Sequence, residues 1–205
     1  MLEQTEADLV RKLREGDQQT LALVFSQFRE RLRRIVAFRL DYRLAGRISH
    51  SDVLQEAYIA AAKRLDNFAT QENMSAFLWL RLVVGQQLTD VHRQHLQAGK
   101  RDVRKEVALQ PKGLSPHTSV AIANCLLDKR TAVSEVLARA EQLEKLECTL
   151  NQMDEVDREV IALRHFEELS NIEAARVIGI EPAAASKRYI RAMTRLSDLM
   201  AQHRW

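Results

Sequence analysis

The chain has little of what a sheet protein, a secreted protein or a membrane protein needs. Its 205 residues include six glycines and three prolines, and aromatics make up 5% while hydrophobic residues reach 46%. Strands lean on aromatic and β-branched side chains and on frequent turn punctuation, so this profile excludes a sheet-rich fold and points to an all-α one. Two cysteines, Cys125 and Cys148, match no zinc spacing, and both are expected as ordinary buried or half-buried thiols of a reducing compartment. No apolar run approaches the ~20 residues of a membrane span, so no membrane insertion is expected. The opening stretch MLEQTEADLVRKLREGD is charged throughout and lacks the apolar centre of a signal peptide, which makes the expected location the cytoplasm.

An excess of charge of one sign is missing too. Lys and Arg total 31 against 28 Asp and Glu, a formal net charge of +3, too mild to mark a nucleic-acid binder. The distribution says more. Arginines crowd into FRERLRRIVAFRLDYRLAGR (28–47), basic residues recur in HRQHLQAGKRDVRK (92–105) and again in 187–195, and carboxylates concentrate in 135–168. One such cluster would be a solvated helix face; three of them favour a polyanionic partner.

Helical periodicity organises the chain. Segment 5–15 reads as a short helix opened by Thr5 and ended at Gly16-Asp17, and 18–44 carries apolar residues at helical spacing. Ser49 or Ser51 caps a third helix that runs to about Leu65, and a fourth extends from about Ser75 to Gln97. From Lys100 to about Arg130 the pattern dissolves around Pro111, Gly113 and Pro116, as in a linker, with a short helical piece near VAIANCLL. Helices return in VSEVLARAEQLEKLECTLNQM, then at 154–166, 170–178 and 182–202. The expected architecture is two small helical domains, 1–99 and 135–205, joined by a linker at 100–134.

The stretch LSNIEAARVIGIEPAAASKRYIRAMTRL (169–196) carries the sharpest local signal. Ser170 and Glu173 form a capping box, Gly179 suits the left-handed residue that closes a helix, and Pro182 suits the first turn of the next. A connection as short as GIE forces a sharp crossing, with Ala175 letting the helices touch and Ile178, Ile180 and Ala185 filling the wedge. That is helix-turn-helix geometry. On the last helix Ala185, Tyr189, Ala192, Met193, Leu196 and Met200 share the core face. Lys187, Arg191 and Arg195 lie roughly opposite with Ala184, and Arg188 lies at the margin. Ala183 and Ala184 are small enough for this end to enter a major groove while the basic side chains reach phosphates and base edges. The plainer reading is a surface helix whose alanines favour helicity.

LNQMDEVDREVIALRHFEELSNIEAARVIGIEPAAASKRYIRAMTRL resembles region 4 of bacterial sigma-70 factors, SDVLQEAYIAAAKRLDNF resembles region 2.2, and FLWLRLVVGQQLTDVHRQH resembles regions 2.3 and 2.4. Regions 1.1 and 3 have no counterpart, which is the two-domain plan of the extracytoplasmic-function (ECF) sigma factors. The resemblance spans about 8–98 and 140–200. It implies a sigma factor that binds core RNA polymerase, through the β′ clamp helices and the β flap, and directs promoter recognition. Asp52, Gln55 and Glu56 fall on the positions that contact β′. The minus-10 element falls to Asn73 in the loop FATQENM, where the family captures a flipped base, and to Gln86, Thr89, His92, Arg93 and Lys100 on the outer side of the fourth helix. The minus-35 element falls to Ala183, Ala184, Ser186, Lys187, Arg188, Arg191 and Arg195. At the start of the last helix the chain departs from the family pattern: Pro182 to Ala185 lead, and Lys187 comes one position after Ser186, where the family has its lysine. Gly85 lies on the outer side of the fourth helix, through close approach of a backbone or through simple tolerance. Trp79 is read as core rather than as a stacking platform. An anti-sigma protein often holds free members of the family inactive, although nothing in the sequence identifies one. The free chain is expected to be a monomer with no cofactor, no metal and no catalytic residue, since nucleotide addition belongs to the polymerase.

Three rivals remain. A stand-alone helix-turn-helix regulator binding as a dimer would leave the first domain without a task, and a helical adaptor on polymerase would need neither Lys187 nor Arg191. A metal-dependent enzyme would be built on His92 and His95, spaced i, i+3, but the sequence offers no matching cluster of further ligands.

Overall fold

The computed structural model describes residues 6–44, 46–71, 74–96, 118–128 and 136–202. All regular structure among them is helical, and the chain divides into two compact units, Met1–Arg101 and Asp102–Trp205.

In the first unit, helix α1 (Glu6–Arg14) closes at Gly16, whose φ is +83°, and Asp17 then starts α2 (Gln18–Arg39) by accepting the Gln19 amide. Thr20 donates its hydroxyl to the same carboxylate at 2.6 Å, and this bond, followed by that from Gln19, holds the Asp17 carboxyl below its ordinary 3.8. The cap therefore contributes fully above the unfolded-state pKa and is lost as pH falls through the folded one. A 3-10 turn (Tyr42–Leu44) leads to α3 (His50–Lys63), then to the short α4 (Leu65–Ala69) and to α5 (Ala76–Leu96). Helices α2, α3 and α5 pack on one another, and α1 lies against α2 and α4. Their contact buries Leu21, Leu32 and Val36 of α2, Val53, Leu54 and Ala57 of α3, and Leu78, Leu80 and Val84 of α5. Trp79 is core, with its ring 5.0 Å from that of Phe68.

The position of His92 corrects the expectation from sequence. Rather than standing on the outer side of α5, its side chain is 4% exposed, and its Nε2 accepts the backbone N–H of Asp41 at 3.2 Å. The buried stripe of α5 runs on from Val84 through Leu88 to position 92, each four residues apart, so the imidazole faces inward. There it accepts from an amide in the turn that follows α2, a donor that burial would otherwise leave without water.

The second unit begins inside the stretch read as linker. Thr118–Asp128 forms helix α6, and Val120, Ala121, Ile122, Ala123 and Leu127 are buried where it meets α7 (Val136–Leu150) and α8 (Glu155–Ile161). The apolar run that suggested a short helical piece therefore covers a core. Two polar bonds fix its start: Thr118 donates to Glu159 Oε2 at 2.6 Å and Ser119 to Asn151 Oδ1 at 2.7 Å. Glu159 is 1% exposed, and a carboxylate so placed is costly without a donor. The rest of 100–134 lies outside the described residues. Of the two cysteines, Cys125 is half-buried but Cys148 is exposed, so the expected burial of that thiol is corrected. Among the described residues, no helix is long and apolar enough to cross a membrane.

Asp154 caps α8, which widens into a π-helical turn at Ala162–Phe166. The turn closes with Glu167 N–H on Ala162 O and Leu169 N–H on Leu163 O, both at 2.9 Å, and leaves Glu168 with φ +56°. Helix α9 (Asn171–Ile178), the left-handed Gly179 at φ +80°, and α10 (Pro182–Gln202) complete the chain.

Glu168 and Gly179 test the same physics with opposite signs. A non-glycine residue in the left-handed region costs about 1–2 kcal/mol, part of which glycine returns through its freer unfolded chain. Glu168→Gly should therefore raise stability by about 0.5–1 kcal/mol, and Gly179→Ala, where nothing lies within 4 Å of the added Cβ, should lower it by a similar amount in urea unfolding. His92→Ala removes a buried acceptor and opens a cavity, for an expected loss of about 2–4 kcal/mol in the first unit. A loss below about 0.5 kcal/mol, the range of surface substitutions, would return His92 to the surface.

Candidate nucleic-acid interface

The site at the C-terminal end is built by its caps. Ser170 Oγ accepts the Glu173 amide at 3.2 Å while Glu173 Oε2 accepts the Ser170 amide at 2.9 Å, so α9 has one defined start. At its end the Gly179 and Ile180 amides both donate to Ala175 O, at 2.8 and 3.0 Å, and the chain turns. Asn171 Nδ2 then donates to Pro182 O at 2.7 Å, tying the first residue of α9 to the first residue of α10. Ala175 and Ala185 are 1% and 0% exposed, close enough packed that neither helix could carry a larger side chain there. The helix-turn-helix expected from sequence is present.

Burial sorts the residues of α10. Ala185, Ala192, Leu196 and Leu199 are buried and Tyr189 and Met193 half-buried, whereas Ala183, Ala184, Ser186, Lys187, Arg191 and Arg195 are exposed. The cations are not equivalent. Lys187 and Arg191 make no hydrogen bond or ion pair within the described residues. Arg188 is half-buried, and its Nη1 donates to Asp154 Oδ1 at 3.1 Å and Asp157 Oδ1 at 2.7 Å. Arg195 Nη2 donates to Gln152 O at 3.2 Å. Sequence reasoning passed over Ile190, which stands 63% exposed one turn beyond Lys187 and beside Arg191. Its place off the core stripe was the available signal.

In the first unit, Ser75 Oγ accepts the Leu78 amide and so starts α5. Gln86, Thr89 and Arg93 are exposed along one side of that helix, as expected. Between them stands Asp90, which the sequence reading did not single out. Its Oδ1 accepts from Gln86 Nε2 at 3.3 Å and from Arg93 Nη2 at 2.8 Å, so one carboxylate orders both side chains. Thr89 donates its hydroxyl to Gly85 O at 3.0 Å, and a Cβ at Gly85 would meet only Arg81 Nη1, at 3.7 Å. His92 is buried and leaves this set, while Asn73 and Lys100 lie outside the described residues.

Helix α3 presents a third surface. Ser49, one of the two serines expected to cap it, accepts the Asp52 amide at 3.1 Å, and Asp52 Oδ2 accepts the Ser49 amide at 3.2 Å. Asp52 is therefore a capping residue as well as an exposed carboxylate. Gln55, Glu56 and Lys63 are exposed on the same side, with Ile59 at 37% exposure in their midst, while Val53, Leu54, Ala57 and Ala61 are buried. Ile59 is the one large apolar side chain exposed on this side among the described residues, and a singly exposed isoleucine is ordinary on a protein surface. Among the described residues no three of His, Cys, Asp or Glu gather as metal ligands.

Comparison with known proteins agrees with this geometry. The family profile "Sigma-70, region 4" matches residues 143–196, from the second half of α7 through α8 and α9 into α10. Along the chain, similarity extends to the ECF RNA polymerase sigma factor SigW of Bacillus subtilis, 23% identical over 87% of this chain and 88% of that one. The RNA polymerase sigma factor NccH of Alcaligenes xylosoxydans is 28% identical over 73% and 72% of the two chains. A solved structure of CnrH in complex with the cytosolic domain of CnrY shares the fold at a TM-score of 0.53 and 20% identity, covering 95% of this chain and 96% of that one. The RNA polymerase sigma factor CnrH of Cupriavidus metallidurans is 30% identical over 73% of this chain and 72% of its own. With that relative, and with a helix-turn-helix standing where the region 4 profile falls, the chain belongs to the sigma-70 family of RNA polymerase sigma factors, ECF type, and acts in transcription initiation.

Proposed function

We propose a division of labour in which residues 1–99 act as sigma region 2, binding core polymerase and the minus-10 element, and residues 135–205 act as region 4 on the minus-35 element. The observation that carries this reading is the exposed face of α10, where Lys187 and Arg191 stand without partners among the described residues, opposite the buried stripe, on the second helix of a helix-turn-helix. Ala183, Ala184 and Ser186 keep the leading end of that helix slim enough for the major groove, and Arg195 flanks it. In the first unit, Gln86, Thr89 and Arg93 meet the minus-10 element, with Asn73 and Lys100 as further contacts, and Asp90 sets the geometry of Gln86 and Arg93 in the free protein.

Asp52, Gln55 and Glu56, with Ile59 among them, form the surface that docks on the β′ clamp helices, and the second unit touches the β flap. The chemistry of nucleotide addition lies with the polymerase, so this chain carries no catalytic residue, cofactor or metal. The reading places the protein in the cytoplasm, a monomer when free. It also allows an anti-sigma partner, a possibility supported by the fold likeness to CnrH, whose solved structure includes the cytosolic domain of CnrY.

Transcription from a pool of random promoters by core polymerase, with and without the chain, tests the reading directly; no change in start-site preference would overturn it. Lys187→Ala and Arg191→Ala should each weaken binding to all sequences and lower the slope of log K against log salt by ~0.9. Unchanged transcription in both variants would instead favour an adaptor that reads no DNA. Ile59→Glu should leave stability within ~0.5 kcal/mol, as an exposed substitution does, while core-polymerase affinity falls about tenfold or more in a competition assay.

A further inference from the structure

Arg188 stands one residue after Lys187, about 100° around α10, and its surroundings differ in kind. Its Nη1 bridges Asp154 and Asp157 in the first turn of α8, at 3.1 and 2.7 Å. Asp154 also caps α8 by accepting the Val156 amide at 2.9 Å, so the anchor is held from its own side. The turn leading into that cap is fastened in turn: Arg158 Nη1 donates to Leu150 O at 3.2 Å and to Met153 O at 2.6 Å, and Arg195 reaches Gln152 O from α10. An arginine whose charge faces two carboxylates is a poor phosphate ligand, because the phosphate would enter the field of both aspartates.

We propose that Arg188 is a positioning residue: clamped on Asp154 and Asp157, it fixes the angle at which α10 presents Lys187 and Arg191, and it makes no phosphate contact itself. The inference rests on the reading of α10 as the minus-35 helix, but the clamp exists without DNA and is tested without it as well.

The full-length chain is titrated with minus-35 duplex well below its melting transition, as wild type, Arg188→Ala, Asp157→Asn and the double variant. Asp157→Asn removes only a charge and keeps the side-chain shape, so it guards against an Arg188→Ala variant that fails to fold. Each single substitution is expected to weaken binding about fivefold, and the double variant to be no weaker than the worse single one, as for groups that act as a pair. A phosphate ligand restrained by the aspartates would give the opposite sign, with Asp157→Asn binding more tightly. That result, additive losses, or unchanged affinity of the folded variants would overturn the proposal. Loss of wild-type binding to any duplex would count against the minus-35 reading instead. In that case hydrogen exchange of the free proteins decides: faster exchange of α10 amides in both single variants supports the clamp, and unchanged exchange overturns it.

Discussion

Everything the C-terminal unit can do depends on how closely two helices approach at one turn. The crossing of α9 and α10 is sharp because only Ile180 and Glu181 separate the left-handed Gly179 from Pro182. Ala175 and Ala185 allow the approach, and the bond from Asn171 to Pro182 O closes it from the other side. Once that wedge is set, the rotation of α10 about its axis follows from burying Ala185, Ala192, Leu196 and Leu199, and the opposite face is delivered to solvent without further instruction. Recognition chemistry sits on whatever residues occupy that face. The leading run Pro182 to Ala185 changes the side chains carried at that end, but the packing that aims the helix is unaffected.

The second constraint is electrostatic, and it explains why net charge says little about this protein. Most arginines in the described structure are already engaged. Arg39 and Arg81 are buried, Arg158 and Arg164 hold backbone carbonyls, Arg43 chelates Asp41, and Arg188 and Arg195 fasten α10 to the turn before α8. Arginine suits this work because its planar fork satisfies several acceptors at once, which lysine cannot do. On α10 the cations without a partner among the described residues are Lys187 and Arg191, and on the outer side of α5 even Arg93 is shared with Asp90.

Local chemistry was legible in the sequence and distant chemistry was not. The capping box at Ser170, the cap at Asp154 and the left-handed Gly179 involve partners within a few residues and appear where the residue types place them, and Ser49 is one of the two serines expected to cap α3, though its box with Asp52 was not foreseen. Among the proposed contacts, burial agrees with the expected outward face at Gln86, Thr89, Arg93, Lys187 and Arg191. His92 was misread although the spacing from Val84 through Leu88 points it inward, because an imidazole beside basic residues invites assignment to the surface; only its bond to Asp41, 51 residues away, lies beyond periodicity. Helix α6 was only half visible, since the prolines and glycine before it suggest a loose strap, while its docking depends on Glu159 and Asn151 in later elements. The π-helical turn and the left-handed Glu168 have no residue signature at all; they are what the chain does to join α8 to α9, at a cost in backbone energy that the packing around Leu163 and Leu169 offsets. Ile190 was readable on a helical wheel and was overlooked because an apolar residue invites assignment to a core.

These two constraints together bear on why such a chain works as a polymerase subunit. If α10 is the recognition helix proposed, its two cations without partners among the described residues would release few counterions, and by itself it would hold DNA weakly and with a shallow salt dependence. A stand-alone regulator would need a dimer interface or a more basic helix to compensate, and α10 carries no further cation without a partner among the described residues. Joining two modest grips on one chain changes the arithmetic, because the second contact becomes intramolecular and its effective concentration replaces affinity that neither surface possesses. Carriage by a large enzyme would do the same again through a third surface, the one proposed on α3. If the proposed contacts are each weak, promoter binding would depend on the enzyme that carries them.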